Sequence, residues 1–171
     1  DPTTLSIVPW QPGYARMASD GHVHGEPWPY CSRVVLKSQL ERIEAKRWIF
    51  FTGMEPEFSL LRKVEGRLVP SDASDTLAKP CYDYKGLSRN RVMLERLVEA
   101  LQATGFDVYQ IDHEDANGQF EMNWKYDDAL QTADKHSFFK FMMRSVAEKH
   151  GLRATFMPRP PPPAVALMMT G

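Results

Sequence analysis

The sequence lacks the features of a membrane protein, a disulfide-rich protein or a protein that binds nucleic acid through bulk charge. No apolar run approaches the roughly 18 residues that a membrane-spanning helix requires. Lysine and arginine number 21 and aspartate and glutamate 22, so the formal net charge is −1 and no strongly basic surface is expected. The two cysteines, Cys31 and Cys81, form no C-x-x-C pair. We therefore expect a cytoplasmic protein with no membrane or nucleic-acid partner.

Three familiar catalytic signatures are also absent. The chain contains no G-x-x-x-x-G-K-[ST] phosphate loop, no G-x-S-x-G motif and no cysteine–histidine arrangement typical of a nucleophile. A bound nucleotide would therefore be held through a metal ion and scattered side chains. The composition itself, 171 residues with 43% hydrophobic and 25% charged, is that of one ordinary globular domain.

Residues 109–124 contain the most informative pattern, a predicted β-hairpin. Asn117-Gly118 favours a two-residue type I′ turn. Strand alternation then places Glu114 and Glu121 on one face of the hairpin, and Tyr109 and His113 on the other. A two-residue loop would set the two glutamates directly opposite each other. A four-residue loop would shift the pairing by one step and leave both on the same face.

Facing carboxylates repel by roughly 0.2–1 kcal/mol when exposed, and more when water is excluded. Such a face is either simply solvated or occupied by a cation. Glu55 and Glu57 form a second same-face pair on an extended segment, and Pro56 between them points the other way. Four carboxylates without a nearby cysteine are typical of a Mg²⁺ or Mn²⁺ site, which most often serves phosphate chemistry.

Hydrophobic periodicity predicts an α+β fold. Three helices are predicted, at residues 33–46 with Ser32 as N-cap, 89–104 with Ser88 as N-cap, and 127–150. Strands are predicted at residues 5–10, 14–18, 48–61, 67–70, 106–114, 119–124 and 153–157, and loops at 25–29 and 71–85. Hairpins separated by helices are typical of an antiparallel β-sheet with helices packed on one face.

Three segments resemble the glutamine synthetase family, in the family's order. Residues 54–58 match its G-x-E-x-E-F strand, residues 112–121 its G-Q-x-E hairpin, and residues 154–160 its A-T-F-M-P-K-P strand. Residues 114–124, together with 79–82, are similar to the branch called type III glutamate–ammonia ligase, which includes γ-glutamylmethylamide synthetase. The resemblance covers residues 1 to about 160. It implies that these residues are the N-terminal half of a glutamine synthetase-like catalytic domain.

The resemblance implies an ATP-dependent ligase that joins ammonia or methylamine to the γ-carboxylate of glutamate through a γ-glutamyl phosphate. It places Glu57, Glu114 and Glu121 at one Mg²⁺ or Mn²⁺ ion, and Glu55 at a second ion that contacts the ATP phosphates. The family forms rings, so a homo-oligomeric ring is implied for the full-length parent. No catalytic residue beyond these metal ligands is implied within residues 1–160.

The chain also departs from the family pattern. Arg159 replaces the usual lysine of the third motif, and residues 161–171 form a proline-rich tail that matches no family segment. We therefore expect a fragment that is inactive alone. Two other functions stay open on the sequence. One is a non-catalytic relative with a structural or interaction role, and the other is an unrelated dinuclear-metal phosphohydrolase.

Overall fold

The computed structural model describes residues 1–158, so Arg159 and the tail at 161–171 lie outside the described residues. A 3-10 turn at Pro2–Thr4 precedes β1 (Ser6–Ile7), β2 (Ala15–Arg16), β3 (His22–Val23), β4 (Glu26–Pro27), α1 (Ser32–Glu44), β5 (Phe51–Thr52), β6 (Glu57–Val64) and β7 (Arg67–Pro70). Then follow α2 (Tyr84–Arg89), α3 (Arg91–Gln102), β8 (Val108–His113), β9 (Gln119–Trp124), β10 (Asp127–Asp128), α4 (Ala129–Lys149) and β11 (Arg153–Thr155).

The main sheet is antiparallel, with strand order β11-β6-β9-β8 and β7 paired to β6. One face of this sheet carries the core: Leu60 and Met122 are buried in one cluster with Leu97 of α3 and Phe139 of α4. The predicted α+β fold, with helices packed on one face of an antiparallel sheet, is confirmed. No helix within residues 1–158 combines the length and apolarity needed to cross a membrane.

The hairpin between β8 and β9 has a longer loop than the predicted type I′ turn. Asp112 pairs with Glu121 and His113 with Phe120, and the amide of Glu114 donates to the carbonyl oxygen of Gln119, which leaves a four-residue loop at 115–118. Gly118 has a φ of +73°, whereas a type I′ turn also needs a positive φ at the residue before it. This is the register in which Glu114 lies one step away from Glu121 on the same face.

A β-bulge corrects the predicted position of Tyr109. Val108 pairs with Trp124 and Gln110 with Asn123, so Tyr109 has no partner across the ladder. The extra residue reverses the alternation at this point. Tyr109 is therefore 59% exposed rather than on the apolar face, while His113 further along β8 keeps its predicted place in the core.

The predicted strand at residues 48–61 is wrong as a single element. Its first part, β5, pairs with β10, and its second part, β6, joins the main sheet. Gly53 and Pro56 lie between the two. Proline has no amide hydrogen for a strand ladder, so the segment breaks where the chain passes from one sheet to the other.

Several other boundaries differ from the sequence prediction. The strands at the N-terminus are shorter, and Glu26–Pro27, predicted as loop, pairs with His22–Val23. Two helices meet at Asn90: α2, which the sequence did not predict, and α3, which is the predicted helix at 89–104. The first of them is capped by Asp83, whose side chain accepts from the amides of the helix start. Cys31, whose side chain makes no capping hydrogen bond to the helix, takes the N-cap position predicted for Ser32.

Ion pairs between α1 and Asp20 allow part of the pH dependence of the protein's folding stability to be predicted. Asp20 lies 2.7 Å from Arg33 and 2.6 Å from Lys37. Hydrogen bonds from Lys37 and then Arg33 lower the pKa of Asp20 to about 2. The ordinary aspartate value in an unfolded chain is about 3.9. A lowered pKa in the folded state stabilises the protein above the unfolded value, and this stabilisation is lost as the pH falls toward 2.

We therefore expect Asp20→Asn to be less stable than the wild type at pH 7, by about 1 kcal/mol, because the side chains of Arg33 and Asp20 remain partly exposed, at 10% and 20%. The two proteins should converge as the pH falls from 4 to 2. Urea unfolding at a series of pH values measures both free energies. A constant difference across that interval would contradict the assignment.

Candidate metal centre

Three glutamates converge on the sheet face that points away from the helices. Glu57 begins β6 and lies directly opposite Glu121 of β9 in the strand register. Glu114 follows β8, on the far side of β9. One carboxylate oxygen from each of the three residues lies within 4.8 Å of the corresponding oxygens of the other two. The strand register explains this geometry. Glu121 pairs with Glu57 on one side and with Asp112 on the other. Glu114 lies two residues after Asp112 and therefore projects to the same face.

The cluster is electrostatically unfavourable without a cation. Burial, and after it the carboxylates of Glu121 and Glu57, raise the pKa of Glu114 above its ordinary value. Like charges directly across a strand pair cost roughly 0.2–1 kcal/mol, and Glu57 and Glu121 form such a pair. A divalent cation at this point would remove the repulsion that raises the pKa.

Two amide side chains on the same face orient the carboxylates. Gln119 donates through Nε2 to Oε2 of Glu57 at 2.5 Å, and Asn123 donates through Nδ2 to Oε1 of Glu121 at 2.7 Å. Asn123 is buried, and its Oδ1 has no hydrogen-bond partner among the described residues. Alternation places both amides on the acidic face, but only the strand register shows which carboxylate each one reaches.

Glu55 does not belong to the three-carboxylate cluster. It is exposed in the segment between β5 and β6. There it lines a neighbouring cavity of about 420 Å³ together with Tyr109 and Tyr126. Pro56 is buried, in agreement with the predicted alternation of Glu55, Pro56 and Glu57. The four predicted ligands thus divide into a set of three and a single residue beside it.

The donor set fits a hard divalent cation. Three carboxylates offer oxygen ligands only, the set that Mg²⁺ and Mn²⁺ prefer over zinc. Glu57 and Glu121 lie on two paired strands, and Glu114 directly follows the neighbouring strand β8, where its amide donates to the carbonyl oxygen of Gln119, so the sheet holds all three backbones. His113, the histidine nearest in sequence, is buried on the opposite face.

Comparison with known proteins establishes the family. Residues 29–167 match the family described as glutamine synthetase, catalytic domain. The chain belongs to the glutamine synthetase family.

Among curated relatives, a glutamate–methylamine ligase from Methyloversatilis universalis is 66% identical over 160 residues, which are 94% of this chain and 36% of that protein. A glutamine synthetase from Rhizobium meliloti is 47% identical over 160 residues, with the same coverage. The chain therefore spans about a third of the length of these relatives.

A solved structure of GmaS in complex with ADP superposes with a TM-score of 0.88 at 50% identity, covering 93% of this chain and 36% of that one. The glutamine synthetase of Plasmodium falciparum shares the fold with a TM-score of 0.70 at 21% identity, over 82% of this chain and 33% of that one.

Proposed function

We propose that this chain is part of an ATP-dependent ligase that joins ammonia or a small amine such as methylamine to the γ-carboxylate of glutamate, through a γ-glutamyl phosphate. Residues 1–160 would be the N-terminal half of its catalytic domain. The full-length protein would be cytoplasmic and form a homo-oligomeric ring. The observation that carries the proposal is the convergence of Glu57, Glu114 and Glu121 within 4.8 Å, in a chain of the glutamine synthetase family.

The role of these residues would be to hold one Mg²⁺ or Mn²⁺ ion, with Glu55 available to a second ion in the adjacent cavity. Bound divalent cations neutralise the charge that develops as a phosphoryl group is transferred. Gln119 and Asn123 would keep the carboxylates of Glu57 and Glu121 aimed at the ion, since each donates to one carboxylate oxygen. ATP and glutamate would meet this face of the sheet, because the opposite face is filled by the core.

The metal site can be tested in the chain as it stands. Calorimetric titration with Mn²⁺ is expected to show one saturable site in the wild type. Glu57→Gln should weaken this binding by at least about 100-fold, because even the loss of an outer partner of a ligand costs roughly 10–100-fold. Glu41→Gln, on the exposed surface of α1, is the matched control and should bind as the wild type does.

Absence of Mn²⁺ binding in the wild type would overturn the metal site, and equal binding by Glu57→Gln would remove Glu57 from it. The reaction itself is measured in the full-length parent. ADP release that requires both glutamate and ammonia or methylamine supports the ligase, whereas amine-independent phosphate release would indicate a phosphohydrolase.

A further inference from the structure

A buried aspartate outside the carboxylate cluster joins the two ends of the hairpin loop. Asp75 lies between β7 and α2, in the polar segment predicted as a loop, and is only 5% exposed. Its Oδ2 accepts from the amide of Gly118 at 2.6 Å and lies 2.8 Å from Nε2 of His113. Its Oδ1 accepts from Nδ2 of Asn117 at 3.1 Å. One carboxylate thus contacts the last residue of β8 and the last two residues of the loop.

His113 links the Asp75 carboxylate to the backbone of Glu114. Its ring is 1% exposed, and Nδ1 lies 2.9 Å from the carbonyl oxygen of Glu114. The carbonyl oxygen of His113 accepts from the amide of Tyr82 at 2.8 Å. The residue directly before Glu114 is therefore fixed through its ring and through its main chain.

The helix α2 closes the remaining side of the His113 ring. A Cβ placed on Gly86 would lie 2.5 Å from Cδ2 and 2.9 Å from Nε2 of this ring. Such distances are far below van der Waals contact, so only glycine allows the helix to approach this closely. The backbone of α2 therefore blocks the ring on the side of Cδ2 and Nε2.

We propose that Asp75, acting through His113 and Gly118, is a positioning residue for the metal centre. It holds the backbone on both sides of the loop, so that Glu114 stays within reach of Glu57 and Glu121. This role rests on the proposed metal-binding function. A rigid supporting shell matters because a ligand must be held within about 0.5 Å of its productive position. Glu114 lies just beyond the end of β8, where its amide donates to the carbonyl oxygen of Gln119 on the opposite arm.

The test uses Asp75→Asn, which keeps the shape and one acceptor but removes the charge. We expect Mn²⁺ affinity to fall by about 10-fold, the lower end of the cost of an outer partner. Amide hydrogen exchange of the wild type and the variant, both without metal, should show faster exchange confined to residues 114–119. Asp72→Asn is the matched control, because Asp72 lies on the same segment but bonds to Arg89 and the amide of Ser74.

A purely structural role would lower stability in both variants and leave Mn²⁺ affinity equal in the folded proteins. His113→Gln and His113→Leu provide a second pair, since glutamine can still donate to Asp75 and leucine cannot. Affinity should follow the order wild type, His113→Gln, His113→Leu. Unchanged affinity and unchanged exchange in Asp75→Asn would overturn the proposal. A wild type that binds no Mn²⁺ would overturn the metal function instead, and the exchange result alone would then decide whether Asp75 holds the loop.

Discussion

Replacing Glu114 with glutamine is expected to raise the melting temperature of the metal-free chain and to weaken its Mn²⁺ binding strongly. The pKa of Glu114 is raised by burial and by the neighbouring Glu121 and Glu57 carboxylates, so its ionised form destabilises the folded state at neutral pH. A neutral glutamine removes this repulsion. Relief of about 1 kcal/mol of like-charge repulsion corresponds to roughly 2–4 °C in a domain of this size.

A higher melting temperature together with a lower Mn²⁺ affinity would identify a metal site rather than a solvated acidic face. Mn²⁺ affinity should fall by at least about 100-fold, as for any direct ligand. Thermal unfolding with and without Mn²⁺, followed by circular dichroism, measures both effects in one series. Added Mn²⁺ should stabilise the wild type but not the variant. If Mn²⁺ raised the melting temperature of both proteins equally, Glu114 would not be a ligand.

Truncation of Phe139 to alanine is expected to have the largest effect on stability. Phe139 is fully buried, at 0% exposure, and its ring centroid lies 6.1 Å from that of Phe58, 5.1 Å from that of Trp124 and 5.9 Å from that of Phe156. These rings belong to β6, to β9 and to the segment after β11, so the side chain joins α4 to three parts of the sheet. Removal of such a phenylalanine costs about 3–5 kcal/mol, a large part of the 5–15 kcal/mol that is typical of a domain.

Phe141 supplies the matched control on the same helix. It is 49% exposed and contacts only the rings of Trp10 and Phe138 among the described aromatic side chains. Phe141→Ala should therefore cost about 1 kcal/mol, near the centre of the range for point substitutions. Urea unfolding of both variants gives the comparison. Equal losses would mean that the core is not centred on the contact between α4 and the sheet.

The part of the site that the sequence could predict is the part that depends on alternation. Glu114 and Glu121 share a face because Glu114 lies opposite Glu121 itself in a two-residue loop, and opposite Gln119, two residues before Glu121, in the observed four-residue loop. Glu55, Pro56 and Glu57 alternate for the same reason. The prediction for Tyr109 was wrong because a single bulged residue reverses the count, and no residue type at that position announces a bulge.

The contacts that support the site could not be predicted, because they join residues distant in the chain. Asp75 and His113 are 38 positions apart, and the sequence around Asp75 indicates only a polar loop. The helix α2 was missed for a related reason. It has only 6 residues and contains Gly86, so neither its length nor its composition favours a helix. Its place is set by packing against the ring of His113.

The loop at 115–118 is a spacer of fixed length. The carbonyl oxygen of Gly118 accepts from the amide of Leu60, and a Cβ on Gly118 would lie 2.9 Å from the carbonyl oxygen of Leu60 and 3.2 Å from Cβ of Pro70. Most surface loops accept an inserted residue at little cost. This loop packs against β6 and β7 on one side, and the Asp75 carboxylate accepts hydrogen bonds from its last two residues. An added residue would have to displace either β6 and β7 or the glutamates that the loop separates.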